Sequence, residues 1–158
     1  MVAVIATPVI ALSFFVLLVR HQPIAADEMH YTAGVELHQQ GQLYQAIVEY
    51  DVAIRLNPVH VEAYSKRGAA NFARDELAQA LGDYNHAISL RSELVGQLGS
   101  PKVPPMKRAI AEAYVGRAKT YTVFGKDEEA QRDIGEAVKM GYDHALAKEA
   151  IEEIRQRR

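Results

Sequence analysis

The first 19 residues carry no charged side chain and very few polar ones. Sixteen of the residues in Met1–Val19 are apolar, and Arg20 and His21 follow directly. A helix of this length spans roughly 28 Å, close to the hydrocarbon thickness of a bilayer, and this one has no polar stripe to face water. The pattern predicts a transmembrane helix over residues 1–20, in contact with lipid through residues 1–19, and a linker over residues 21–26.

Two other interpretations of this segment remain open. It is a signal peptide if cleavage follows the small residues Ala25 and Ala26, although the apolar run exceeds the usual ~7–15 residues and no Lys or Arg precedes it. It is a buried helix only if protein surrounds it on every side. Arg20 favours a cytoplasmic position for the rest of the chain under the positive-inside tendency, whereas signal cleavage would make that part periplasmic or secreted.

From Asp27 onward, apolar residues recur at helical spacing and the chain repeats itself with a period of 34 residues. Three units align, and a 16-residue insertion separates the second from the third; the units are 27–60, 61–94 and 111–144, and the insertion is 95–110. The matched columns pair a small residue with a large one 16 positions later: Gly34 with Tyr50, Gly68 with Tyr84, and Ala118 with Ile134.

Each unit is predicted to be two helices joined by a short turn. Gly41 and Gly125 are expected to end helices, and Asn57-Pro58 ends the first unit because the residue before Pro disfavours a helix. The period, the small and aromatic columns and the terminal Pro resemble the tetratricopeptide repeat family. The resemblance covers about residues 27–144, and it implies an all-α fold, a right-handed αα-solenoid of three units.

The insertion and the C-terminus complete the predicted solenoid. Apolar stripes continue into both ends of residues 95–110, so we expect the flanking helices to overrun the repeat and to meet in a turn at Gly99–Pro105, as a projecting hairpin. That hairpin is either a tolerated insertion or a contact element. Residues 145–158, preceded by Asp143 as N-cap, are predicted to form an amphipathic capping helix.

Two structural ion pairs are predicted from a shared spacing. Arg67 and Asp83 are 16 residues apart, as are Arg117 and Asp133, and both pairs occupy the same two columns of the repeat. We expect each arginine to reach its own aspartate across the two helices of its unit, partly removed from water.

Composition excludes several classes of function. The chain of 158 residues has no Cys, which excludes a disulfide framework, a zinc–thiolate site and a thiol nucleophile. Its 18 Lys and Arg residues are balanced by 20 Asp and Glu residues without a basic stripe, which argues against nucleic-acid binding. It has no phosphate-binding glycine loop, no paired-histidine metal motif and no nucleophile elbow. We therefore expect no catalytic residue, no cofactor, no metal and no small-molecule substrate, and the chain is predicted not to be an enzyme.

The resemblance implies a partner groove lined by the first helix of each unit. Nine residues in three columns of the repeat would line it: Tyr31, Ser65 and Val115 in the first, Val35, Ala69 and Lys119 in the second, and His38, Phe72 and Thr122 in the third. Some family members clamp the carboxylates of an acidic chaperone peptide, but the corresponding columns here contain a single basic residue, Lys66, so that activity is not expected. The groove suits a partly apolar helix or an extended segment, although side chains at this spacing can also serve only the core.

Together the patterns predict a membrane-anchored, single-pass interaction protein. It would act as a scaffold, an assembly factor or an accessory subunit of a membrane protein complex, with membrane-associated protein partners. The alternative is a soluble periplasmic or secreted adaptor after signal cleavage.

Overall fold

The computed structural model describes residues 24–98 and 104–157, and every regular element in these ranges is an α-helix. The all-α prediction is confirmed. The seven helices of the described ranges are α1 (Ala26–Gln39), α2 (Leu43–Leu56), α3 (Val61–Ala73), α4 (Leu77–Leu98), α5 (Pro104–Val123), α6 (Asp127–Lys139) and α7 (His144–Arg157).

The turns inside the three hairpins share one backbone conformation. Gly41 and Gly125 have φ values of +76° and +72°, and Asp75, which occupies the same column in the second unit, has a φ of +63°. In each turn the N–H of the following residue donates to a carbonyl five residues back, as from Gln42 to Leu37 at 2.9 Å. This 6→1 bond satisfies a carbonyl at the helix end, and a residue with positive φ makes it possible.

The helices form three antiparallel hairpins stacked side by side. The hairpins are α1–α2, α3–α4 and α5–α6; α2 packs against α3, and α4 packs against α5. The helix α3 also packs extensively against α5, but only slightly against α1. On the face formed by α1, α3 and α5, the helices α3 and α5 are therefore in close contact, whereas α1 and α3 are farther apart.

Small residues allow the helices of each hairpin to approach closely. Alanines fill two columns of the repeat and have no exposed surface: Ala46, Ala80, Ala130, Ala53, Ala87 and Ala137. A Cβ atom at Gly34 would lie 2.6 Å from the Tyr50 ring, and one at Gly68 would lie 2.8 Å from the Tyr84 ring. The columns matched in the sequence are thus in contact across each of these hairpins.

The insertion and the C-terminal helix extend the stack. The helix α4 continues to Leu98 and α5 starts at Pro104, while the predicted turn falls mostly on residues 99–103, outside the described ranges. The helix α7 packs against α5 and α6 through the buried Ala147 and Ile151. Asp143 Oδ1 accepts a hydrogen bond from Leu146 N at 3.0 Å, as expected of an N-cap.

The predicted membrane helix over residues 1–20, and most of the linker after it, lie outside the described residues. Within the part of the chain that the structure describes, no helix combines the length and the apolar character needed to cross a membrane.

Candidate partner-binding groove

A partly buried arginine, Arg67, fixes α3 against the second helices of two hairpins. Arg67 Nε donates to both carboxylate oxygens of Asp83 at 3.1 Å, and Nη1 donates to Asp51 at 2.5 Å. Asp83 also accepts from Asn71 at 2.9 Å. Burial alone would lower the pKa of the Arg67 guanidinium, but Asp83 and Asp51 outweigh burial and raise it. The arginine thus stays charged, and it joins α3 to both α2 and α4.

The same arrangement recurs one unit later. Arg117 donates to both oxygens of Asp133 at 2.7 Å, and its Nη1 donates to Asn85 at 2.7 Å. The 16-residue spacing predicted that each arginine pairs with its own aspartate. It did not predict the second partner of each arginine, which is Asp51 for Arg67 and Asn85 for Arg117. The signal was present, because Asp51 and Asn85 are 34 residues apart and so share a column.

The α1 part of the predicted groove is half-buried and aromatic. The Tyr31 ring lies 5.0 Å from the His60 ring and 6.2 Å from the Tyr50 ring, measured between centroids. The His38 ring meets Tyr50 edge-on at 6.5 Å, and Val35 packs on the same cluster. Burial lowers the pKa of His38, and the charge of Lys66 adds to this effect. These three side chains therefore pack on the first hairpin, and none of them lines the two cavities described next.

Between α3 and α5 the structure brings four of the predicted groove residues around one cavity of about 140 Å³. They are Ser65, Ala69, Val115 and Lys119. Tyr84 and Tyr142 also line this cavity, and sequence analysis did not assign either of them to the groove. Tyr84 belongs to α4, and its ring crosses between α3 and α5 because residue 116 is a glycine; a Cβ there would overlap the ring.

Phe72 and Thr122 differ from one another in their access to a partner. Phe72 is half-buried, and its ring lies 5.0 Å from the Nζ of Lys119. Thr122 is 0% exposed, and its hydroxyl donates to the carbonyl of Ala118 at 2.9 Å. The placement of Thr122 in the groove surface therefore needs correction: its short side chain turns back onto its own helix.

The basic residue noted in the sequence, Lys66, is already paired. Its Nζ donates to Glu112 at 2.8 Å, and Arg108 donates to the other oxygen of Glu112 at 2.9 Å. Burial alone would raise the pKa of Glu112, but Lys66 and Arg108 outweigh it and lower the pKa. A partner that needed the Lys66 charge would have to compete with this carboxylate.

A second cavity continues the groove toward α7. It measures about 420 Å³ and shares Glu112 and Tyr142 with the smaller cavity. Its lining combines apolar side chains with cations: Met140, Tyr142, Leu146, Lys107 and Arg108. Leu146 is 58% exposed, so this end of the groove presents apolar surface to solvent.

A third cavity, about 690 Å³, lies between α5 and α6 and includes Arg117 and Asp133. Three cations and three carboxylates line it, and two of the cations are paired within it, Arg117 with Asp133 and Lys139 with Glu136. Within the described residues, no three His, Asp or Glu side chains are grouped so as to hold a metal ion. The groove between α3 and α5 is therefore the better candidate for binding.

Comparison with known sequences identifies the repeat. Residues 34–74 match a family model described as "TPR repeat". The chain is similar to tetratricopeptide repeat protein 36 of Xenopus tropicalis, at 30% identity over 112 residues that make up 71% of this chain and 50% of that protein. The human protein of the same name is 31% identical over 108 residues, which are 68% of this chain and 51% of that protein. The chain thus spans about half the length of these relatives.

Comparison with solved structures supports the fold. The first tetratricopeptide domain of Spaghetti (RPAP3), bound to the HSP90 peptide SRMEEVD, superposes with a TM-score of 0.66 at 21% identity, covering 83% of this chain and 91% of that one. The Arabidopsis OM64 tetratricopeptide domain gives a TM-score of 0.65 at 22% identity, covering 84% and 97%. The chain therefore has the fold of a tetratricopeptide-repeat domain, and residues 34–74 match the repeat in sequence.

Proposed function

We propose that this chain is a membrane-anchored interaction protein that binds a segment of a protein partner in the groove between α3 and α5. The observation that carries the proposal is the pair of adjoining cavities, about 140 and 420 Å³, lined mainly by apolar and cationic side chains, with the carboxylates of Glu112 and Asp143 beside them. A concave surface of this composition suits a partly apolar peptide segment better than a reaction, since it holds no convergent set of catalytic groups.

The membrane part of the proposal is supported by sequence alone. Residues 1–19 are free of charge and long enough for a bilayer. An anchor of this kind confines the solenoid near membrane partners and raises their effective concentration. The role is then that of a scaffold, an assembly factor or an accessory subunit of a membrane complex, with the solenoid on the cytoplasmic side.

The acidic-tail peptide of the Spaghetti complex is not proposed as the partner here. The columns that would hold its carboxylates contain Tyr31, Val35 and Gly116 beside Lys66, and Lys66 is bound to Glu112 at 2.8 Å. Without a second free cation these columns form no clamp for two carboxylates.

Site-specific photocrosslinking in the full chain tests the groove. A photoreactive amino acid at Ala69, on the cavity wall, should crosslink to a defined membrane protein, whereas the same amino acid at the exposed Val48 of α2 should not. Equal adducts from both positions, or none from Ala69, would contradict the proposal.

Intact mass and alkaline carbonate extraction test the anchor. The mature protein should retain residues 1–26 and stay with the membrane fraction. Loss of about 26 residues would favour the runner-up, a periplasmic or secreted adaptor after signal cleavage, for which Ala25 and Ala26 are suitable small residues.

A further inference from the structure

Lys119 is a half-buried cation in the groove that lacks an anionic partner among the described residues. It lies on α5, lines the 140 Å³ cavity, and its Nζ is 5.0 Å from the centre of the Phe72 ring. Burial lowers the pKa of its ammonium group, and the more distant charge of Glu153 only partly opposes this. Among the side chains that the structure describes, those of residues 24–90 and 106–157, no carboxylate forms an ion pair with Lys119.

Unlike Lys119, the neighbouring cations each have a carboxylate partner. Lys66 and Arg108 share Glu112 at 2.8 and 2.9 Å, and Arg67 and Arg117 each contact at least one aspartate. Glu112 is thus already engaged on both oxygens. Removing an ammonium group from water without an anion costs free energy, which a cation–π contact with Phe72 recovers only in part. An anion from outside the chain would recover more.

The surroundings of Lys119 limit what that anion can be. The cavity of about 140 Å³ is smaller than the roughly 300–1,000 Å³ of ordinary ligand pockets, so it suits one side chain of a partner rather than a larger group. Ser65 and Tyr84 place hydroxyl groups in the lining, and Ala69 and Val115 supply apolar wall. The site therefore fits one carboxylate with an apolar neighbour, rather than a string of acidic residues.

We propose that Lys119 receives a single internal Asp or Glu side chain of the partner segment, with Phe72 and the α7 end of the groove contacting apolar residues beside it. This inference rests on the proposed groove and names the chemistry of its occupant. The carboxylate is internal because the only other cation among the described residues that line the 140 Å³ cavity, Lys66, is already paired with Glu112, so a terminal carboxylate would lack a second cation there.

Peptide selection on the full chain in detergent tests the inference. A random dodecapeptide library is selected against the wild type, and peptides are synthesised from the enriched sequences. In the best binder, changing the acidic residue to its amide should weaken binding to the wild type by about tenfold, since a hydrogen bond to a charged group contributes about 1.5–3 kcal/mol.

The same pair of peptides is then measured on variants of the protein. On Lys119→Gln the acid and amide peptides should bind equally within about twofold, while Lys119→Arg should keep the preference for the acid because it keeps the charge. Lys148→Gln, an exposed residue on α7, is the matched control and should behave as the wild type. Circular dichroism melting confirms that each variant is folded.

The outcomes separate the two proposals. Selected peptides that lack an acidic residue, or an acid preference that survives in Lys119→Gln, would overturn the role of Lys119 while leaving the groove intact as a binding site. Failure to enrich any peptide that competes at the groove would overturn the proposed function and this inference with it.

Discussion

Tyr84 is held between two glycines that belong to different helices. Gly68 on α3 and Gly116 on α5 both face its ring, and a Cβ at either position would come within 2.8 Å of the ring or overlap it. Tyr84 is 3% exposed and lies between these two helices, so its ring has little room to move. These glycines are needed for close approach, unlike Gly82, whose Cβ would meet open space.

Gly116→Ala is therefore expected to destabilise the fold. Overpacking a core of this density costs typically about 1–3 kcal/mol in the free energy of unfolding. The control, Gly82→Ala on the exposed face of α4, should stabilise the protein by about 0.5–1 kcal/mol because alanine is the better helix former. Urea denaturation measures both, and a neutral Gly116→Ala would show that the ring can shift freely.

Replacing Arg67 is also expected to lower the free energy of unfolding. Arg67→Met leaves the Asp83 carboxylate, whose side chain is 8% exposed, with only Asn71 as a partner. Breaking a buried pair on one side costs about 3–5 kcal/mol. Asp51→Asn, at a side chain that is 41% exposed, should cost less than about 1 kcal/mol. Equal losses in thermal or urea unfolding would mean that burial does not separate the two contacts.

Contacts within one repeat unit were the part of the site that the sequence predicted well. The 16-residue spacing placed Arg67 with Asp83 and Arg117 with Asp133 because both pairs lie within one unit, where a regular repeat determines the distance. It did not indicate that Arg67 also reaches Asp51, since contacts between units depend on how the hairpins stack. Thr122 was assigned to the groove because period alone does not show which way a short hydroxyl side chain turns.

At the scale of elements, the junction between the first two hairpins contains a buried histidine. His60 precedes α3 and is 6% exposed; its Nε2 lies 3.5 Å from Glu28, and its Nδ1 lies 3.3 Å from Glu62. Burial alone would lower the pKa of His60, but Glu62, Glu28 and Asp27 outweigh burial and raise it. His60 also lowers the pKa of Glu62. Protonated His60 thus links α1 to α3.

The stability that His60 contributes is therefore pH-dependent. A raised folded-state pKa means that the contribution is complete below the unfolded value of about 6.5 and is lost as pH rises through the folded-state pKa. The lowered pKa of Glu62 sets the other limit, because its contribution is lost as pH falls below 4.5 through the folded-state value.

The difference in unfolding free energy between the wild type and His60→Gln should accordingly be largest between about pH 5 and 6 and shrink toward pH 9. Urea titrations at several pH values measure it. In a Glu62→Gln background the pH dependence should weaken, because the largest favourable partner is gone. A difference that grows with pH would mean that the histidine is held neutral in the fold.

Helix boundaries were largely predictable because the turns repeat. Gly41 and Gly125 end helices with positive φ, as expected, and Asp75 adopts the same conformation in the second unit although it carries a side chain. Its turn keeps the 6→1 hydrogen bond, from Glu76 to Asn71 at 2.9 Å. Here the shape imposed by the repeat overrides the preference of the residue, and aspartate tolerates this region better than most side chains.

At the scale of the whole molecule, the apolar core is unevenly distributed along the stack. The main core runs from Val61 to Ile151, whereas the first hairpin contributes to two smaller clusters, each with three buried members; these are Ala46, Tyr50 and Ala70, and Ala53, Ile54 and Ala63. Gly34 is the one buried residue of α1. Repeat proteins are stabilised by each unit and by its contacts with adjacent units, so a terminal unit with little core opens more easily.

Native-state hydrogen exchange should reflect this gradient. Amide protons in the middle of α1 are expected to exchange with a lower opening free energy than those of α5 between Ala113 and Thr120, which are largely buried. Low concentrations of urea should reveal α1 and α2 as a separately opening unit. Uniform protection across all helices would indicate a single cooperative fold.

The general architecture followed from sequence, but the location of the best binding surface did not. The nine residues of the predicted groove occupy three columns of the repeat and are spaced evenly over α1, α3 and α5, as a regular repeat requires. In the structure α3 lies close to α5 and farther from α1, so only part of that set surrounds a cavity. Packing between units, and the tyrosines contributed by α4 and by the α6–α7 turn, decide the shape of the groove.

The position of Tyr84 has a practical consequence for measurement. The chain has eight tyrosines and no tryptophan, so its ultraviolet emission comes from tyrosine without transfer to a stronger emitter. Since Tyr84 and Tyr142 both line the cavity beside Lys119, a carboxylate bound there would change the polarity and quenching at two emitters, of which Tyr84 lies between α3 and α5. The loss of that signal in Tyr84→Phe would identify its source, and groove occupancy could then be titrated optically without attaching a dye.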